Sequence, residues 1–288
     1  MTQVVIFDQT GKVDPALLHN AALALNIQVT RDVPTWWTGI SANVSVAPSL
    51  EAIPHGAWPV FLVKSLPPGE GGFHLDKRNQ PYAKVIATAG DESWTIDASH
   101  EIIEMLVDPY GNRMHSSQAI KISGDDVVDT SGLFNYLVEA CDPCEANDYA
   151  YDIGGIAVSD FITPHFYDAS LTPDVNYSFK GNIQRPRQVL PGGYISYVQP
   201  DGTWNQILWV DPNASPKYHP LSVASVRSLR LRVHEAMGSE LDKAKHHQRR
   251  KKGGLSKAVE DRAAIYRQFR TAKTREKSLR EWYELGPA

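Results

Sequence analysis

The sequence predicts an α+β fold: a mixed sheet with one helix laid across it, a half rich in β and loop, and a helical C-terminal arm. Three observations lead there. Short apolar β-type runs and one helical run precede an amphipathic stretch at residues 99–109. After Pro109 the chain turns to brief β runs separated by Gly, Pro and Asn. From about residue 222 helical spacing returns, now with a basic cast. At 288 residues the chain has room for two modest domains or one larger body with an appendage. The boundaries this suggests are 1–110, 111–220 and 221–288.

In order, Val4-Val5-Ile6-Phe7 reads as a strand. Asp14 then caps a helix that carries Pro15 at its first position, with Leu17, Leu18, Ala21, Ala22 and Leu25 at helical spacing as far as about Asn26. Ile27-Gln28-Val29-Thr30 resumes strand character, as do 42–46, 58–64 and 82–88. Residues 69–82, rich in Gly, Pro and Asn, read as a loop carrying His74; a surface position is expected for it, with reach into a cleft from above as the alternative. Beyond Pro109, strands are expected over 118–122, 154–158, 177–180, 193–198 and 204–209, with a hairpin turn at Pro200-Asp201-Gly202-Thr203. A last helix is expected over 255–285.

The organising stretch is Ser99-His100-Glu101-Ile102-Ile103-Glu104-Met105-Leu106-Val107-Asp108-Pro109. Ile102, Ile103, Leu106 and Val107 fall on one helical face, and His100 and Glu104, four apart, stack on the other. An imidazole and a carboxylate one turn apart can hold the same metal ion, and Glu101 stands where a metal-assisted hydrolase keeps its general base. Pro109 disfavours helical geometry at Asp108, so the helix should end there. The bland reading of such a helix is a solvated polar face.

Charge is unevenly distributed. Residues 221–288 hold 17 Lys and Arg against 8 Asp and Glu, whereas the whole chain has a net charge of −4, so an acidic body bears a basic arm. That arm is either docked on its own body as a solvated helix or grips a polyanion such as nucleic acid through Arg249-Arg250-Lys251-Lys252 and the helix after them. No apolar run is long enough to cross a bilayer, so no membrane partner is expected. The opening residues lack the basic and small-residue pattern of a secretory leader, which leads to an expected cytoplasmic location, or a virion if the chain is phage-encoded. The only cysteines, Cys141 and Cys144 in Cys-Asp-Pro-Cys, read first as a reduced pair at a turn beside the metal site and second as a redox motif.

The runs Pro81-Tyr82-Ala83-Lys84-Val85, Ser93-Trp94 and 99–109, followed by Val138-Glu139-Ala140-Cys141-Asp142-Pro143-Cys144-Glu145 and by 155–164, resemble microbial zincin-like proteins with an H-E-x-x-E helix. More loosely, the chain is similar to the plant EXORDIUM-like family. The resemblance covers roughly residues 1–210 and leaves the basic arm aside. It implies a zincin-like mixed sheet with an active-site helix, and a single divalent ion, zinc first and manganese or calcium after it. His100 and Glu104 would be ligands, with a third from Glu139, then Asp142, then Glu145. It implies a peptidase-like hydrolase in which Glu101 activates a metal-bound water. Two other classes stand beside it: a non-catalytic zincin-like binding or assembly protein, of the kind a phage encodes, and a nucleic-acid-associated protein acting through residues 243–285.

Overall fold

The computed structural model describes residues 1–66, 71–77, 79–211 and 213–221. β1 (Thr2–Asp8) leads into α1 (Pro15–Ile27), capped as its sequence requires: Asp14 accepts hydrogen bonds from the Ala16 and Leu17 amides, with Pro15 at the first helical position. The strand expected at 27–30 is absent. The chain instead passes through a π-helical turn, Gln28–Asp32, into α2 (Val33–Trp36). Tertiary partners override the local β preference there. Val29 and Val33 are buried, the Gln28 amide donates to Ser159 O and Tyr151 Oη, and Asp32 accepts from Tyr151 Oη at 2.8 Å.

β2 (Ala42–Val46), β3 (Trp58–Val63), β4 (Gly72–Lys77) and β5 (Gln80–Ile86) complete a first sheet in the order β2-β1-β3-β5-β4. All neighbours run parallel except β4, an edge strand antiparallel to β5. The stretch expected to be a loop around His74 is therefore half of a hairpin, turning through Asn79 at φ 63°. One sheet face (Val4, Ile6, Val60, Leu62, Ala83, Val85) packs against α1 and α3 (Trp94–Val107), and the other is filled by Phe61, Phe73, Leu75 and Tyr82.

α3 begins five residues before the stretch beginning at Ser99 and ends at Val107, one residue short of Asp108-Pro109. The Asp108 carboxylate then fixes the exit by accepting from the amides of Asn112 and Arg113. α3 lies between two cores. Ile102, Met105 and Leu106 join the first, while Ile103 and Val107 join a second with Tyr136, Phe161, Phe166, Tyr167 and Tyr197. Each such buried side chain contributes about 2 kcal/mol of transfer free energy, enough to hold a helix whose polar groups are also under cover.

The second core belongs to β6 (Met114–Ser123) and β7 (Asp126–Leu137), with the short hairpin β8 (Tyr151–Ile153) and β9 (Ile156–Val158) reaching back to the first core. β10 (Tyr194–Val198), β11 (Trp204–Leu208) and β12 (Lys217–Pro220) complete an antiparallel sheet, β12-β11-β10-β7-β6. The turn expected at 200–203 joins β10 to β11, with Gly202 at φ 86°. Residues 177–180 do not form a strand; they contribute only a bridge from Ser178 to Ile162. Mixed α and β content in separate sheets is thus as expected. Among the described residues no helix is long and apolar enough to cross a membrane. The basic segment from 222 onward, including the helix expected over 255–285 and the nucleic-acid reading of 243–285, lies outside the described residues.

Arg187 ties the lower half together. Fully buried, it forks onto Asp129 at 2.9 and 3.0 Å and also donates to Ser117 Oγ and Asp168 O. Because Asp129 is partly exposed, most of what Arg187→Met loses is the set of buried acceptors left without a donor, and a loss of about 3 kcal/mol is expected. Urea denaturation reads this directly; a change below about 1 kcal/mol would contradict it.

Candidate metal centre

Three elements converge on one buried cluster: β4 brings His74, α3 brings His100, Glu101 and Glu104, and the segment after β7 brings Glu139, Asp142 and Glu145. Each is placed by identifiable contacts. α3 is anchored one residue before His100, where the Ser99 hydroxyl donates to Gln28 Oε1 and accepts from the Ser159 amide. The 139–145 segment docks on α3 through Cys141, whose amide donates to Glu104 Oε1 at 3.1 Å and whose thiol faces His100 O at 3.8 Å. From behind, Gly193 abuts the Asp142 and Pro143 carbonyls so closely that a Cβ there would fall 2.6 Å from Asp142 O. β4 approaches α3 just as tightly, since a Cβ on Gly72 would stand 2.9 Å from Glu101 Cγ.

Within the cluster, His100 Nε2 lies 3.4 Å from Glu104 Oε2 and 3.2 Å from Asp142 Oδ1. His74 Nδ1 lies 3.1 Å from Glu101 Oε2 and 3.6 Å from Glu104 Oε2. Ligand atoms of His74, Glu104 and Glu139 fall within 4.8 Å of one another, as do those of His100, Asp142 and Glu145, and those of His100, Glu101 and Glu104. Glu104 and His74 are 0 % exposed and Asp142 is 1 % exposed. The solvated helical face that the helix alone would suggest is therefore not what forms, because β4 and the 139–145 segment cover it. His74 is likewise buried and not a surface loop residue.

Electrostatics follow from this crowding. Burial alone would depress the His100 pKa, but Glu104 and Asp142 outweigh it and hold the imidazolium well above the ordinary histidine value. Burial, reinforced by Glu104, pushes Asp142 up to about 7 despite the favourable His100 contact. Both His100 and Asp142 thus hold a proton more tightly than usual, and a bound cation would have to displace it. Among the described residues Asp142 Oδ2 is buried with no hydrogen-bond partner.

All the residues expected from the sequence to form the site are brought together: Glu101, His100, Glu104, Glu139, Asp142 and Glu145. Glu139, the acid expected first beside His100, groups with His74 and Glu104 instead; Asp142, expected second, is the acid beside His100, because the turn at Asp142–Cys144 carries it there. His74 joins them, as its alternative reading had it and not at the surface position expected first; its sequence signal is the apolar flank Phe73-His74-Leu75 within a Gly-rich stretch. Tyr167 and Tyr194 are further residues that the sequence does not point to. Both are buried, and their phenols are pushed up by burial and then by the acids of this cluster, Glu139 first for Tyr167 and Asp142 first for Tyr194. Cys141 and Cys144 are buried thiols that form no disulfide. Burial first, then Glu104 for Cys141 and Asp160 for Cys144, raises their ionisation well above the usual range, the opposite of what a nucleophilic or redox-active thiol needs. Compared with known proteins, the chain matches no family model, no curated protein and no solved structure.

Proposed function

We propose that the chain is a metal-dependent, peptidase-like hydrolase on a zincin-like scaffold, with His100, Asp142 and Glu145 holding a divalent ion, Glu104 facing the same imidazole, and Glu101 as general base. The observation that carries this reading is the spacing around His100 Nε2, 3.4 Å to Glu104 Oε2 and 3.2 Å to Asp142 Oδ1. Two donors on a tetrahedral zinc stand about 3.4 Å apart when each is about 2.1 Å from the ion. The orphaned Asp142 Oδ2 adds a buried acceptor beside the same imidazole. One nitrogen and two carboxylates suit zinc first and manganese second.

A bound divalent ion would acidify a coordinated water and polarise a substrate carbonyl. Glu101, next to His100 on α3 and held by His74 Nδ1 at 3.1 Å, takes the proton from the attacking water and returns it to the leaving amine. Two carboxylates around one ion leave it less electrophilic than a histidine-rich site would, so turnover should be slow. A second reading draws support from Glu101 being only 6 % exposed and bound to His74: the ion is then structural, in a binding or assembly protein of the kind phages encode.

Glu101→Gln separates the two. On the hydrolase reading the variant keeps its metal and loses peptide cleavage by at least about 100-fold. Wild-type protein that holds metal without cleaving any peptide library member would favour the binding protein, and protein that refuses metal altogether would end both.

A further inference from the structure

The donors exceed what one ion can use. The segment after β7 carries acids at every third position, Glu139, Asp142 and Glu145, and they do not all serve the same imidazole. Asp142 and Glu145 group with His100, while Glu139 groups with His74 and Glu104, and each trio lies within 4.8 Å internally. The two trios share no residue and are joined by one carboxylate oxygen: Glu104 Oε2 is 3.4 Å from His100 Nε2 and 3.6 Å from His74 Nδ1. The other Glu104 oxygen is held by the Cys141 amide at 3.1 Å, which fixes the carboxylate between the two imidazoles. The unpartnered oxygen of Asp142 sits in a residue that is 1 % exposed, so it gains nothing from water where it is.

We infer that this is a two-ion centre, the second ion held by His74, Glu104 and Glu139, with Glu104 bridging to the ion at His100, Asp142 and Glu145. The inference rests on the metal reading proposed above and extends it. Each half offers one imidazole and carboxylate oxygens, a ligand set for Zn²⁺ or Mn²⁺. Ions sharing a carboxylate in this way stand about 3.5–4 Å apart, the spacing at which two cations clamp both sides of a hydrolysed bond. His74, which in the one-ion scheme only holds Glu101, is then itself a ligand delivered by β4.

The test is stoichiometry. Full-length protein stripped with chelator and reloaded with Zn²⁺, then with Mn²⁺, is weighed by native mass spectrometry, and the Mn²⁺ form is examined by electron paramagnetic resonance for coupling between ions. Two ions per chain and a coupled Mn²⁺ pair are expected, falling to one uncoupled ion in both His74→Ala and Glu139→Gln. Glu139→Gln keeps side-chain volume, so it reports even if His74→Ala folds poorly. One ion in the wild type overturns the two-ion centre and leaves the single-ion reading standing. No ion at all overturns both. Two ions retained in the two variants overturns the assignment of His74 and Glu139.

Discussion

Replacing Glu104 by glutamine is expected to weaken metal binding by well over 100-fold and to take any hydrolysis with it, while the fold persists. The expectation comes from what each oxygen does. Oε1 accepts from the Cys141 amide, and a glutamine carbonyl can accept the same bond, so the docking of the 139–145 segment on α3 survives. Oε2 faces both imidazoles, and there a neutral amide replaces an anionic donor. Losing a partner that merely orients a ligand costs 10- to 100-fold in affinity, and losing the shared ligand itself costs more. Competition against a chelator of known affinity measures the loss, with a melt of the metal-free variant as the check on folding. A variant that binds Zn²⁺ as tightly as the parent would remove Glu104 from the coordination shell. Glu104→Asp, which keeps the charge but shortens the reach, should fall between the two.

How far the site can be read from residues alone differs element by element. The pairing of His100 with Glu104 needs only helical periodicity, and the helix is where that periodicity puts it. The environment of Glu104 is not legible in this way, because a sequence window shows which residues share a face and not what covers that face. Here the polar stripe is roofed by β4 and the 139–145 segment, and the helix is buried on nearly every side. His74 shows the same gap from the other direction. Gly71 and Gly72 read as loop formers, yet a Cβ on Gly71 would lie 2.7 Å from Asp97 Oδ2, so the glycines are clearance for an edge strand pressed onto a helix.

The acidic segment is legible as a segment, because Glu139, Asp142 and Glu145 stand together in a short polar stretch. Which acid meets which imidazole is set by the 3₁₀ turn at Asp142–Cys144 and by Gly193 behind it, contacts that span about fifty residues of chain. The segment at 27–30 illustrates a different competition. Its β-branched residues favour extended backbone, but a buried Gln28 bonded to Tyr151 and Ser159 is worth more than local preference. The same glutamine, through Ser99, sets the height of His100 on its helix.

Zinc is expected to raise the melting temperature strongly at pH 8 and weakly at pH 5, and the direction comes from the protons the ion must displace. Without metal, His100 is held above its ordinary value of 6.5. Its protonated form therefore contributes stability in full below that value and loses the contribution as pH rises through the raised pKa. Asp142, lifted from 3.8 to about 7, has the same sign: its protonated form stabilises fully below 3.8, and the contribution disappears as pH rises through about 7. The metal-free protein thus weakens as pH climbs from about 4 through 7 and beyond. Over the same interval the ion meets less competition, because both groups must be deprotonated to bind it.

At a free zinc concentration of about 1,000 times Kd the stabilisation is about 4 kcal/mol, or about 10 °C for a chain of this size. Differential scanning calorimetry with and without Zn²⁺ at the two pH values gives the comparison. Asp142→Asn should bind the ion more weakly at both, and it should flatten the pH dependence of the shift by removing one of the displaced protons. An equal shift at pH 5 and pH 8 in the wild type would mean that the stabilising ion sits away from His100 and Asp142.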